Sequence, residues 1–319
     1  MADRGLDVFE KYDFEVRNTS KGRGVIIADT DKGLRLLKNY IGSGKHLTWC
    51  GEILEKLNES GILLVDAYEK NKDGEYITES EDGGKYVIKK WFPCRECDIK
   101  IYGDVISTIR NLAFLHKELS LIEAPEEYVE KSIESEYVRK GKELARIRKY
   151  LSTRFEKNEF EQMAAASFDE FMPEVERITD YAKEFFVECR ISCFLRHGNF
   201  THHNIGFGET LPVISNFEKM SYSYQLKDLY TFVRKIMEKN NWDMKIGYGM
   251  LNEYDRIMPL NDEELKLLYI LLSFPEKYWK LMNSYFNTKK SFLPAKNSEK
   301  LSKLIAQNAA RIAFINTIH

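Results

Sequence analysis

Cysteine is scarce and odd in number, with five in 319 residues. Such a set gives no disulfide framework of the kind that staples small secreted domains. Net charge is almost absent too: 48 basic residues face 50 acidic ones, a formal balance of −2. No segment gathers Lys and Arg into the basic stripe of a duplex-binding surface, so nucleic acid is not an expected partner. Long apolar runs are missing. The longest, residues 265–274, is interrupted by Lys266 and falls far short of the ~20 residues of a membrane span, so no membrane association is expected. The opening Met1-Ala-Asp-Arg-Gly-Leu-Asp7 places acids where a secretory signal would have its apolar core, which points to synthesis in the cytoplasm. Internal repeats and low-complexity tracts are lacking as well.

What is present suffices for a sizeable core: 43% of the residues are hydrophobic and 31% charged, a globular composition. The length suggests about two structural units at roughly 150 residues each. The chain changes character near residue 93. Before it, short apolar runs at Gly24-Val-Ile-Ile-Ala28 and Leu34-Arg-Leu-Leu-Lys38 flank the turn Asp29-Thr-Asp-Lys-Gly33, which reads as a hairpin. Further strands are expected over 62–69, 76–79 and 86–92, with Asp73-Gly74 and Asp82-Gly-Gly84 as turns. One helix interrupts them, its apolar positions recurring at Trp49, Cys50, Ile53, Leu54 and Leu57 before Gly61. Beyond residue 101 the period is helical, with expected helices near 103–119, 127–156, 168–195, 223–240, 243–257, 262–273, 275–288 and 296–317. Pro125, Pro173, Pro259, Pro275 and Pro294 stand at or near their starts or breaks. The last helix is expected to pack Leu301, Leu304, Ile305, Ile312 and Ile315 on one face. A β-rich unit followed by a larger helical one is an α+β arrangement.

The informative stretch runs from His197-Gly-Asn-Phe-Thr-His-His-Asn204 through Val213-Ile-Ser-Asn-Phe-Glu218 to Asp228-Leu-Tyr-Thr-Phe-Val-Arg234. Its middle reads as a short strand hairpin inside a helical half. In order and spacing it resembles the catalytic core of aminoglycoside phosphotransferase-like kinases: His-Gly-Asp, four residues, Asn, a hairpin, Ile-Asp-Phe, then Asp-Leu on a helix. The tract 213–219, Asp228-Leu-Tyr230, residues 234–243, Phe274-Pro-Glu-Lys-Tyr-Trp279 and Pro294-Ala-Lys-Asn297 are closer still to the spore-coat branch, the CotS-type proteins of spore-forming bacteria. The resemblance spans nearly the whole chain. It implies a bilobal protein-kinase-like fold, with an N-lobe at residues 1–93 and a helical C-lobe at 94–319.

By the same resemblance Lys38 is the strand lysine that would meet nucleotide phosphates, and Gly22 and Gly24, in Lys21-Gly-Arg-Gly24, form the turn that would cover them. Glu52 or Glu55 is the expected carboxylate partner of Lys38, or else a solvated surface residue. Trp91-Phe92-Pro93 falls where the inter-lobe linker would hold an adenine, and residues 127–196 where the acceptor-binding wall would stand. The two acids of the family are absent. Asn199 occupies the position of the catalytic aspartate, and Asn216 that of the aspartate that would chelate Mg²⁺, while Asn204 matches the remaining metal ligand. An amide cannot serve as a general base, a role worth typically about 10²–10⁴ in rate, and it offers a hard cation only a neutral oxygen. Glu218, two residues beyond Asn216, is the acid that could substitute, although it reads more simply as a solvated loop residue. Asp228 and His197 read as architectural residues: the first accepting backbone hydrogen bonds from the His-Gly loop, the second bonding backbone near Asn216.

Other constellations are weaker. Cys94-Arg-Glu-Cys97, with Cys189 and Cys193 taken as an i, i+4 pair on a helix, could supply four thiolates to zinc, but the second pair reads better as core packing. His202-His203 lacks a third ligand nearby in the sequence. The tyrosines, 18 in number, read mostly as core-edge residues. The expected function is therefore that of a spore-coat scaffolding protein, made in the mother-cell cytoplasm. It would carry a disabled phosphotransfer site, no certain cofactor beyond residual ATP/Mg binding, and other coat proteins or its own copies as partners. The alternatives are an active Mg·ATP-dependent phosphotransferase on a small hydroxylated molecule or sugar, and a nucleotide sensor.

Overall fold

The computed structural model describes residues 5–22, 24–287 and 294–318. Arg23 of the glycine turn, the first four residues and residue 288 of an expected helix lie outside them. The fold is mixed α+β, strand-rich at the N-terminal side and helical over the larger C-terminal part. Two compact units are present, Met1–Val129 with Phe194–Asp228, and Glu130–Cys193 with Leu229–His319. This division does not follow the change of composition at residue 93, because strands at 95–96, 194–196, 205–207, 212–214 and 221–223 lie beyond it.

In the first unit, β1 (Val16–Lys21), β2 (Ile26–Thr30) and β3 (Gly33–Asn39) form a meander, with β6 (Lys85–Lys90) beside β3 and β5 (Thr78–Glu79) at the edge. All of these pairings are antiparallel. The β2–β3 turn closes as expected: the Thr30 hydroxyl donates to Gly33 O at 2.6 Å, and Gly33 takes φ +92°, a conformation that suits glycine. Strand alternation then sorts the side chains. Ala28, Leu37 and Ile88 face Val8, Phe9 and Tyr12 of an N-terminal 3₁₀ turn and form a closed apolar cluster. Burial of each large aliphatic side chain there contributes about 1.5–3 kcal/mol. The opposite face carries Leu36, Lys38, Val87 and Lys89, because Leu36 pairs with Lys89 and Lys38 with Val87. After β3 comes α1 (Gly44–Glu59), which starts where the Ser43 side chain accepts the His46 N–H and buries Leu47, Trp49, Cys50, Ile53, Leu54 and Leu57.

A second sheet joins distant pieces of chain. β4 (Leu64–Val65) runs parallel to β10 (Pro212–Ile214), which pairs with β9 (Ile205–Phe207), which in turn pairs with β7 (Arg95–Glu96). α2 (Tyr102–Leu121) packs on β8 (Phe194–Arg196), which pairs with β11 (Ser221–Ser223), and the unit closes with the opening turn of α5 (Leu226–Lys239).

The second unit contains α3 (Ile133–Thr153), α4 (Glu159–Glu188), the rest of α5, α6 (Met244–Asp255), α7 (Asp262–Ser273), α8 (Glu276–Asn287) and α9 (Pro294–Ile315). Its core holds Tyr278 stacked on Phe171 at 4.2 Å, and a buried Lys140–Glu276 ion pair at 2.7 Å. Three expectations are corrected here. The helix expected at 168–195 starts at Glu159, because Asn158 and Glu161 form a reciprocal capping box, and Pro173 lies inside it rather than at an end. It stops at Glu188, so Cys189 is its C-cap and Cys193 lies beyond it, and the i, i+4 cysteine stripe does not exist. On α9 the apolar face is shifted: Ile312 is 39% exposed, whereas Gln307, Asn308, Arg311 and Phe314 are buried. Arg311 compensates its burial through Glu174 and the Ser273 carbonyl.

Candidate functional site

The site is built on the loop His197–Asn204, and Asp228 is its anchor. Asp228 is fully buried. It accepts the His197 N–H at 2.7 Å and the Gly198 N–H at 3.1 Å, and it pairs with Arg196 at 2.7 Å and with His116 at 3.6 Å. Burial alone would raise its pKa, but Arg196 and His116 overcome that and hold the carboxyl well below its ordinary value. Gly198 takes φ +80°, and a Cβ there would meet the Lys219 carbonyl oxygen at 1.7 Å, so only glycine fits. His197 is buried, and burial lowers its pKa, which keeps the ring neutral. Its Nδ1 accepts the Asn199 N–H at 3.1 Å, so the proton sits on Nε2, which donates to Ser215 O at 3.0 Å. Asp228 and His197 thus both bond the backbone around the loop.

From this frame the three asparagines form a chain. Asn204 Nδ2 donates to Asn199 O at 2.8 Å, which turns Asn204 Oδ1 toward Asn216, and Asn216 Nδ2 donates to it at 2.8 Å. Asn216 adopts φ +66°, a left-handed conformation that asparagine tolerates. Its backbone N–H donates to the Asp66 carboxylate at 3.0 Å. Asp66 also accepts Lys89 Nζ at 3.0 Å. Lys89 lies 3.6 Å from Glu218 and 4.6 Å from the Tyr68 ring centroid, and Glu218 accepts Lys38 Nζ at 2.6 Å. Burial opposes the charge on Lys89, but Asp66, Tyr68 and Glu218 raise its pKa above the ordinary value. Burial likewise works against Glu218, yet Lys89 and Lys38 leave its pKa lowered.

The partner of Lys38 is therefore Glu218 rather than Glu52 or Glu55. Glu52 is exposed, and Glu55 bonds Lys70 and the Tyr76 hydroxyl, each at 2.9 Å. The side of α1 that meets the turn 217–220 presents His46 and Cys50 instead, with His46 Nε2 3.0 Å from Met220 O. Glu218 is a half-buried member of a charge network, not a solvated loop residue. Gly22 and Gly24 form the β1–β2 turn, where the Gly22 N–H donates to Val25 O at 2.9 Å and Gly24 takes φ +76°. Trp91 continues the β6 pairing through its N–H to Leu34 O, and Trp91 and Phe92 are partly exposed. Cys97 is buried and accepts the Thr108 hydroxyl, whereas Cys94 is exposed.

Sequence reasoning missed Asp66 and Lys89. Both carried a signal. Asp66 follows the apolar run 62–65, and Lys89 shares a strand face with Val87. A charged residue at a core position of a strand implies a buried partner.

Chemically, the amide pair does not fit a magnesium–nucleotide site of phosphotransferase type. Neither 204 nor 216 offers a carboxylate, and Asn216 turns an N–H donor toward the one oxygen of Asn204. The acids at hand, Asp66 and Glu218, are already bonded to lysines.

Comparison with known proteins places these features in context. A family model described as "Spore coat putative kinase YutH" matches residues 7–318. Spore coat protein S of Bacillus subtilis (strain 168) is 24% identical over 131 residues; the match covers 39% of this chain and 37% of that protein, so little more than a third of its length is matched. Among solved structures, an aminoglycoside phosphotransferase from Alicyclobacillus acidocaldarius is similar with a TM-score of 0.84 at 16% identity, covering 97% of this chain and 93% of its own. The amicoumacin kinase hAmiN, solved with AMP-PNP, Ca²⁺ and Ami, has a TM-score of 0.65 at 13% identity, covering 98% and 94%. The fold is thus that of the aminoglycoside phosphotransferases. Among the described residues, no helix is long and apolar enough to cross a membrane.

Proposed function

This chain belongs to the spore-coat family with a kinase-like fold, and from that premise we propose that it serves the coat as a scaffolding component with a disabled phosphotransfer site. It is made in the mother-cell cytoplasm and passes to the coat, where other coat proteins and its own copies are its partners. The observation that carries this reading is the Asn216 Nδ2 to Asn204 Oδ1 hydrogen bond, which joins two amides where a metal would need anionic oxygen. Asn199 adds the loss of the acid that would orient an acceptor hydroxyl. Meanwhile the props of the loop, Asp228, His197 and Gly198, are intact. Retaining a rigid loop without its acids suits a protein used for its shape.

The test is a complementation experiment in a spore-forming host that lacks the protein. Lys38→Met and Asn204→Ala variants should assemble into the coat at wild-type level, because the scaffold reading gives neither side chain a chemical task. Folded, normally expressed variants that fail to complement would overturn it.

A second reading, an active phosphotransferase that uses Glu218, has one observation in its favour: Glu218 is held ionised beside Lys38 and Lys89. In that case Glu218→Gln would abolish Mg²⁺-dependent ATP turnover by the wild-type protein.

A further inference from the structure

Next to the amide chain lies a cluster that takes no part in the charge network described above. Glu96, His202 and His203 each present a ligand atom, and the three atoms lie within 4.8 Å of one another. In the sequence the two histidines have no third partner. The fold supplies one from β7. Glu96 stands opposite Gly206 in the β7–β9 pairing, and the 3₁₀ turn His202–Asn204 runs directly into β9. The Cys97 N–H bond to Ile205 O, at 3.0 Å, fixes this register. Glu96 Oε1 already meets His203 Nδ1 at 2.6 Å, and the two imidazole rings lie with centroids 3.8 Å apart, tilted by 38°.

We propose that Glu96, His202 and His203 form a binding site for a transition-metal dication of the zinc class. Two imidazoles and one carboxylate are a zinc-type donor set, with a fourth position open to water. Hard cations such as Mg²⁺ and Ca²⁺ prefer oxygen donors throughout. With metal–ligand distances of about 2.0–2.2 Å, the donors of a tetrahedral site stand about 3.4 Å apart. Separations of 4.8 Å or less reach that spacing, the 2.6 Å Glu96–His203 contact by opening, through rotations of the exposed members, Glu96 and His203, whose side chains are 60% and 67% exposed. His202 is buried and provides the fixed point. This site is separate from the amide chain and independent of the scaffold reading.

The test uses the full-length protein, titrated with zinc chloride by calorimetry and with cobalt(II) chloride by visible absorption. The expected result is one zinc per chain, with affinity at least tenfold weaker in Glu96→Gln and in His203→Ala, and a cobalt spectrum without a thiolate charge-transfer band. Because both substituted side chains are exposed, the variants should keep the wild-type melting temperature in metal-free buffer. Cys94→Ser, which removes the exposed thiol beside Arg95, should leave binding unchanged. Wild-type protein that binds no more zinc than the His202→Ala/His203→Ala variant would overturn the proposal, as would binding that disappears in Cys94→Ser.

Discussion

Asn216 shows how much a single amide decides. Its side chain donates to an acceptor whose direction is already fixed, because Asn204 spends its own N–H on the Asn199 carbonyl. An aspartate at 216 would set carboxylate against carbonyl oxygen, and Asn204 could not turn without facing the Asn199 carbonyl with an oxygen. Asn216→Asp should therefore lower stability in chelator by about 1–3 kcal/mol, the cost of leaving buried acceptors unpaired, and Mg²⁺ should restore part of it. Chemical denaturation with and without the metal reads both effects. Asp228 decides the loop in the same way. Asp228→Asn leaves Arg196 buried without its counter-charge and should cost about 3–5 kcal/mol. The pH dependence follows from the direction of its shift. Its folded pKa is depressed, so its contribution is complete above the unfolded value near 3.8 and is lost only as the pH falls toward the lower folded value. Acid unfolding of the wild type should therefore steepen below that point, and the variant should lack this component.

The strands and helices explain what was readable beforehand and what was not. The β2–β3 hairpin, α1 with its apolar stripe, and the hairpin after the His-Gly loop were legible, because period and turn chemistry are local. The limits of α4 were not, since the capping box at Asn158 and Glu161 outweighed a proline at 173 that looked like a boundary. Nor was the partner of Lys38. Local sequence offered α1 as the source of a carboxylate, but the pairing arises 180 residues away from a turn whose position depends on β10 and β4 lying side by side. Lys89 and Asp66 belong to the same class: each looks out of place in its own strand, and only the β3–β6 register and the β4–β10 pairing bring them together. Their coupling is measurable. Lys89→Met should cost about 3–5 kcal/mol by leaving Asp66 buried and uncompensated, and the double variant Lys89→Met/Asp66→Asn should recover a large part of that loss. Additive losses in the two single variants would contradict a paired network.

For the whole molecule, the order of motifs was enough to indicate the phosphotransferase fold and the spore-coat family, and both hold. What order along the chain could not convey is that Phe194–Asp228 joins the N-terminal segment in one compact unit, so that the loop, Lys38, Lys89, Asp66 and Glu218 share a neighbourhood. In that neighbourhood Asn216 and Asn204 form a hydrogen-bonded amide pair, and Lys38 and Lys89 bond Glu218 and Asp66. The most direct test is isothermal calorimetry of ATP with and without Mg²⁺, on the wild type and on Asn199→Asp/Asn216→Asp. The account predicts no Mg²⁺-dependent heat for the wild type and a gain of Mg²⁺-dependent binding in the double variant. Wild-type protein that binds Mg·ATP more tightly than ATP alone, and turns it over, would contradict the account.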